Sequence, residues 1–248
     1  MRRRPLLAGI GALATVSLAG CLGVESVRLS IGETAHFEDG RSLTVSSPTV
    51  QKSIVASHDA FLSLGREADS QFVVVDVTGT AVFEPFSFAL ERDGSVEDPT
   101  STYPPVRPVA RECRDTCVPI VAPIEAADEA AVVYRSDEKR AFWELGEETV
   151  AHLSRTPELK LRDAVIGEQD GDIELEFTVE NVGERDGTFR ALVAPEGMYD
   201  VEEPVGFPVP TGEIVTEAVV PRELTHHDPD DAEFHHSISA ETRYFSVG

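Results

Sequence analysis

The side chains with most chemistry to offer stand near the end of the chain. In HHDPDDAEFHH, His226, His227, His235 and His236 flank Asp228, Asp230, Asp231 and Glu233, so four of the chain's 7 histidines fall in one short stretch. Imidazole and carboxylate together form a donor set for zinc, copper or nickel. Residues 225–236 are polar and turn-rich, and a loop there could bring both histidine pairs onto one divalent ion. Its expected ligands are His226, His227, Asp228, His235 and His236. Adjacent histidines point to opposite sides of a strand, so one of each pair would ligate easily. The alternative is a solvated loop in a chain that is acidic throughout, and the H-E-x-x-H spacing of zinc hydrolases is absent.

The other reactive residues are 3 cysteines. Cys113 and Cys117 stand four apart in RECRDTCVPI, and outside the cytoplasm such a pair is expected to form a disulfide. So short a loop removes little chain entropy, so the bond would shape a turn more than stabilise the fold. A redox or soft-metal site would need alternating strands and helices or a neighbouring histidine, and neither is evident. Cys21 closes MRRRPLLAGIGALATVSLAGC. Three arginines precede an uncharged run from Pro5 to Gly20, too short for a membrane span of about 20 residues and suited to an export signal. Leu18-Ala19-Gly20-Cys21 resembles a lipobox, which implies cleavage before Cys21 and lipid attachment to its sulfur. The arginines ahead of the apolar run resemble a twin-arginine signal. Each buried lipid methylene contributes about 0.8 kcal/mol, and two chains hold where one is marginal. Gly9-Ile10-Gly11-Ala12-Leu13-Ala14 fits a dinucleotide fingerprint but lacks the strand that must precede one.

Nucleophile elbow, Walker A and EF-hand patterns are all missing. No catalytic residue, no enzyme activity and no resident cofactor are expected, apart from a divalent metal at the 226–236 loop. The one asparagine, Asn181, precedes Val-Gly, so there is no glycosylation sequon.

The elements that must hold these residues read as strands. Ile173, Leu175, Phe177 and Val179 alternate with Glu174, Glu176, Thr178 and Glu180, a period of two with one face buried and one wet. Asn181-Val182-Gly183 and Asp186-Gly187 then turn the chain into a partner strand from Thr188 to Ala194. Leu159 to Val165, the stretch after Thr211-Gly212, and SISAETRYFSV complete about six short strands over 157–248, the pattern of a sandwich. FTVENVGERDGTF and PTGEIVTEAVV resemble the CARDB family of extracellular immunoglobulin-like modules. That resemblance implies a seven-stranded sandwich without catalytic residues, although 195–207 departs from the pattern.

The first half is also β-rich. It offers LTVSSPTVQKSIVAS, the apolar run QFVVVDVTGTAV as a central strand, FSFALER leading into the Asp93-Gly94 turn, and short strands at 118–121 and 130–134. IGETAHFEDGRSLTVSS followed by FVVVDVTGTAVFEPFSFALERDG resembles the DUF4352 family of secreted and lipoprotein β-sandwich domains, over roughly 27–136. EETVAHLS, at 147–154, suits a short helix with acids at its N-terminus, ended at Thr156-Pro157. Phe142, Trp143 and Leu145 before it read as an anchor in the core or between domains. The expected fold is all-β, with two immunoglobulin-like β-sandwich domains joined by a short helix after a cleaved signal. The divisions are a signal over 1–20, a tether over 21–26, a sandwich over 27–146, a helical linker over 147–156 and a second sandwich over 157–248.

Composition bounds the partners. The 248 residues carry 45 acidic and 21 basic side chains, a net charge of −24, and loss of residues 1–20 would deepen it to −27. Lys52, Lys139 and Lys160 are the only lysines. This bias resembles proteins of halophilic archaea, whose charge is screened at a Debye length of about 3 Å in 1 M salt. Nucleic acid is not an expected partner, because phosphates require a basic stripe. The expected partners are the membrane, through lipid at Cys21, and an unidentified surface protein or envelope component. The role that follows is lipid-anchored binding or scaffolding at the extracytoplasmic face of the cell membrane. The alternatives are a metal-binding lipoprotein and a hydrolase with an unrecognised site.

Overall fold

The computed structural model describes residues 25–58, 61–80, 87–97, 116–136, 139–169, 172–195, 202–222, 232–238, 242–244 and 246–247, and these are mostly β-strand, with one short helix. Cys21, Cys113, His226, His227 and Asp228 lie outside the described residues. Among the described residues, no helix is long and apolar enough to cross a membrane.

The first half contributes β1 (Glu25–Ser30), β2 (Thr34–His36), β3 (Ser42–Gln51), β4 (Ser53–His58), β5 (Phe61–Arg66), β6 (Ser70–Gly79), β7 (Phe88–Arg92), β8 (Ser95–Val96), β9 (Thr116–Pro123), β10 (Ala130–Arg135) and β11 (Lys139–Glu144). They form one sheet ordered β1-β11-β10-β7-β8, a second ordered β2-β3-β6-β9, and a separate β4-β5 ribbon. Val45, Val73, Val75 and Val77 of the second sheet meet Phe88, Leu90, Val132, Tyr134 and Trp143 of the first in one apolar core. Trp143 is wholly buried there, and its indole N–H donates to the Glu33 carbonyl at 2.9 Å. Strand β1 begins at Glu25, inside the stretch read as a tether, and pairs in parallel with β11.

Local chemistry accounts for the turns. Asp93 and Gly94 both take positive φ, 49° and 77°, as a two-residue primed hairpin turn requires, and β7 pairs with β8 across them. Between Ser46 and Thr49 the β3–β6 ladder slips by one residue at a bulge, with Ser47 at φ 49°. Before the bulge Leu43 and Val45 face the core; after it Val50 does, and Gln51 is turned to the opposite face. The run 42–57, a single stretch by composition, is therefore two strands broken at Lys52.

The helix α1 (Glu147–Ala151) forms where the acids and apolar spacing place it and passes into a 3₁₀ turn (His152–Ser154). Its Val150 and the turn's Leu153 join the first core, so the segment belongs to the first half's packing.

The second half contains β12 (Leu159–Gln169), β13 (Asp172–Asn181), β14 (Gly187–Pro195), β15 (Glu203–Val209), β16 (Ile214–Val219), β17 (Ala232–His236), β18 (Thr242–Tyr244) and β19 (Ser246–Val247). Two four-stranded sheets, β16-β13-β12-β19 and β15-β14-β17-β18, enclose a second core. In it Ile173, Leu175, Phe177 and Val179 face Phe189, Ala191, Val193, Phe207 and Phe234. Two expectations change. Residues 203–209, overlapping the stretch that fits the family pattern poorly, are a strand paired with residues 187–193 of β14. The end of the stretch read as a loop, Ala232–His236, is also a strand, paired with β14 on its other side.

Asn181 ties the β13 end together. Its side-chain amide donates to the carbonyls of Arg185 and Val209, both at 2.9 Å, and its Oδ1 accepts from Gly183 N–H at 3.0 Å. A Cβ at Gly183 would lie 2.2 Å from Glu158 N, so only glycine fits beneath the 156–158 backbone. Replacing Asn181 by Ala strands two carbonyls and one N–H, and should cost about 2–4 kcal/mol. Urea unfolding of Asn181→Ala against wild type measures this loss; an unchanged midpoint would show that water or a neighbour replaces all three bonds.

Candidate functional site

The site lies where the two halves meet, and the β4-β5 ribbon builds it. Strand alternation sends Ile54 one way, to pack with Phe72, Val74 and Cys117 on the outer face of the β2-β3-β6-β9 sheet. It sends Val55 the other way, onto Leu192 of β14, with Leu62 and Leu64 of β5 beside it. Ser53, Ile54, Val55 and Ala56 are all buried. The ribbon is thus an apolar layer between a sheet of the first half and a sheet of the second.

Polar clamps flank this layer. Arg190 of β14 is 1% exposed, although it stands on the face of β14 opposite the second core. Its Nη2 donates to Gln51 Oε1 at 2.9 Å, and its Nη1 to Ser53 Oγ at 3.3 Å and the Thr188 carbonyl at 3.4 Å. Gln71 of β6, wholly buried, donates to the carbonyls of His152 and Leu153 at 3.1 and 2.7 Å. Its Oε1 accepts from Arg185 Nη2 at 3.1 Å, and Arg185 Nε donates to the Arg155 carbonyl at 2.8 Å. Burial lowers the Arg185 pKa to about 10, with the Asp186 carboxylate opposing the shift.

Two cavities open beside the ribbon. One, of about 250 Å³, lies among Lys52, Pro157, Arg185, Asp186, Arg190 and Pro208. The other, of about 260 Å³, lies among Leu62, Leu64, Arg66, Leu192, Glu202 and His235, with His236 at its wall. Here burial, reinforced by the charge of Glu233, raises the Glu202 pKa to about 7. Glu233 and His235 share the ribbon-facing side of β17; Phe234 faces the second core, where His236 stacks on Phe189 at 6.4 Å. His236 Nδ1 accepts from the Ile238 N–H at 3.2 Å, which assigns the ring proton to Nε2 in the neutral form.

The histidines singled out from the sequence thus divide. His235 and His236 lie on β17 at the second cavity on opposite faces of the strand, while His226, His227 and Asp228 fall outside the described residues. Among the described residues, no group of three His, Cys, Asp or Glu could hold a metal ion. Cys117, in β9, is disulfide-bonded, and its Sγ lies 3.9 Å from Asp76 Oδ1 against the outer apolar cluster. Sequence reasoning missed Arg190, Gln51 and Gln71. The available signal was Leu192, a large apolar residue on the face of β14 opposite Phe189, Ala191 and Val193. No family model, curated protein or solved structure matches the chain.

Removing the Arg190 guanidinium and stem leaves a buried void and unpaired acceptors. Arg190→Ala should cost about 3 kcal/mol or more, and Arg190→Met, which keeps the stem, markedly less. Hydrogen exchange would show the loss as faster exchange in β4 and β14; equal protection in all three proteins would mean that the clamp does not hold the halves.

Glu202 makes the second cavity pH-sensitive. Its value in the fold, about 7, lies above the 4.5 of a free carboxyl. Its stabilising effect is fully present below the unfolded value and is lost as pH rises through the folded one. Glu202→Gln should therefore melt with wild type at pH 4 and above it at pH 8. Thermal scans at the two pH values decide this, and parallel curves would remove Glu202 as the source.

Proposed function

We propose that the chain is an exported lipoprotein, held through Cys21 to the extracytoplasmic face of the cell membrane. There its two β-sandwich domains, the first like DUF4352 domains and the second like CARDB immunoglobulin-like modules, bind or scaffold a surface protein or envelope component without catalysis. The observation that carries the reading is the short distance between the lipobox cysteine and the first strand. β1 begins at Glu25, four residues after Cys21. Four residues span at most about 14 Å, so lipid at Cys21 would hold the edge of the first sheet against the headgroups. Charge supports the same reading. A body at a net −27 is repelled by anionic headgroups, so attachment would rest on the acyl chains.

A binding role is supported by the ribbon layer between the halves. A surface whose parts are fixed before contact loses less entropy on binding. The contacts would come from loops at the sheet ends and from the clefts beside the ribbon.

Fractionation of cells at their native salt tests the anchor. The wild-type chain should sediment with membranes, and mass spectrometry should find Cys21 as the lipid-bearing N-terminus. Cys21→Ser should keep its leader and lose the lipid. Detection of wild type as an unmodified, uncleaved chain in the soluble fraction would overturn the reading.

A further inference from the structure

Acids outnumber bases by more than two to one in this chain, so a cavity with the opposite balance stands out. The space beneath Pro157 and Pro208 is lined by three cations, Lys52, Arg185 and Arg190, and by one acid, Asp186. The cations are fixed by neutral dipoles. Lys52 Nζ donates to the carbonyls of Glu67, Ala68 and Ser70 at 2.6, 2.9 and 2.7 Å. Arg185 donates to the carbonyls of Arg155 and Asp186 and to the Gln71 amide. These bonds satisfy hydrogens without neutralising charge.

Burial lowers the pKa of Lys52 even with Asp69 and Glu67 acting against the shift, and it lowers that of Arg185 even with Asp186 doing so. Arg185 is therefore incompletely compensated at the edge of this space, while all three N–H groups of Lys52 are spent on carbonyls, so that Lys52 contributes charge alone. An anion entering it would restore what desolvation removes from Arg185. Arg185 has five N–H groups in its fork, and its three described bonds leave donors for an incoming oxygen. The hydroxyl-bearing Thr188 stands in the same wall.

We infer that this cavity is a binding site for a small oxyanion: a carboxylate, a sulfate or a phosphate. Its volume of about 250 Å³ accepts sulfate or a short dicarboxylate. The lining comes from β3 and the Lys52 turn on one side and from β14, β15 and Pro157 on the other, so an occupant would bridge the two halves. The inference is independent of whether Cys21 is lipidated.

Titration calorimetry on the purified full chain, with sulfate, inorganic phosphate and malonate at fixed ionic strength set by chloride, tests it. Wild type should give saturable heats, and the anion bound best identifies the class. Arg185→Gln should weaken binding roughly tenfold or more, since it removes a charged hydrogen-bond partner, and Lys52→Gln should weaken it less, since it removes nearby charge only. Asp186→Asn, which keeps an acceptor and removes the one acid, should tighten binding, a gain that misfolding could not produce. Absent or non-saturating heats with wild type would overturn the inference. So would heats unchanged in all three variants, or a melting-temperature rise linear in sulfate and equal in every protein, which is the effect of salt exclusion from the surface.

Discussion

Burial of β4 on both faces is the constraint on which the rest of the structure depends. A strand with two dry faces needs a sheet above it and another below. Here one comes from each half, through Ile54 onto Phe72 and Val74, and through Val55 onto Leu192. The ribbon cannot bury both faces unless both halves are present, so its docking couples them. Arg190 follows from the same geometry. Its place on β14 would be solvent in an isolated sandwich, and under the ribbon its guanidinium must be satisfied by whatever the first half supplies. Gln51 and Ser53 do so, and Gln51 is there because the one-residue bulge at Ser46–Thr49 turned it outward.

Electrostatics explains why the seam carries cations. Ion pairs on the exposed sheet faces, such as Lys160 with Glu158, add little to stability in high dielectric. Lys52, Arg185 and Arg190 are placed differently. Each reaches backbone carbonyls or neutral side chains, closing acceptors that the turns leave open. A carboxylate at those positions would face the carbonyl oxygens and add to a charge of −24. The seam is thus where a strongly acidic chain needs its few bases, and excess positive charge around a cavity follows from that need.

Much of the fold was legible in the residues because its signals are local. The alternation over 173–179 is β13, the run QFVVVDV is the central strand β6, and Asp93-Gly94 is the hairpin turn. What stayed hidden depends on tertiary contact. Ile54-Val55-Ala56 reads as a continuation of β3, because a strand buried on both sides has no alternation to mark it. Strand β17 carries Glu233 and His235 toward the ribbon, and such polar residues in sequence look like a loop. Of the site, the two histidines at 235 and 236 were visible by type, but Arg190 was not, since an arginine on an alternating strand is normally taken to face water. Leu192, two residues on, was the local clue that this face is covered.

The two cavities differ in what they can respond to, and that difference follows from which side of the ribbon each occupies. Beside β3 and the start of β14, cations line the space, and Arg185, with a pKa of about 10, stays charged across the physiological pH range. Beside β17, Glu202 and His235 line it together with Arg66, and the value of about 7 at Glu202 means that its charge changes within that range. Ribbon docking is therefore opposed on one side by a carboxylate that ionises as pH rises, and supported on the other by charges that an oxyanion can complete. Both act on one buried layer, so occupation of the first cavity and protonation in the second should favour the same docked arrangement. Such coupling requires no movement of either sheet, only that both free energies refer to the contact between Val55 and Leu192.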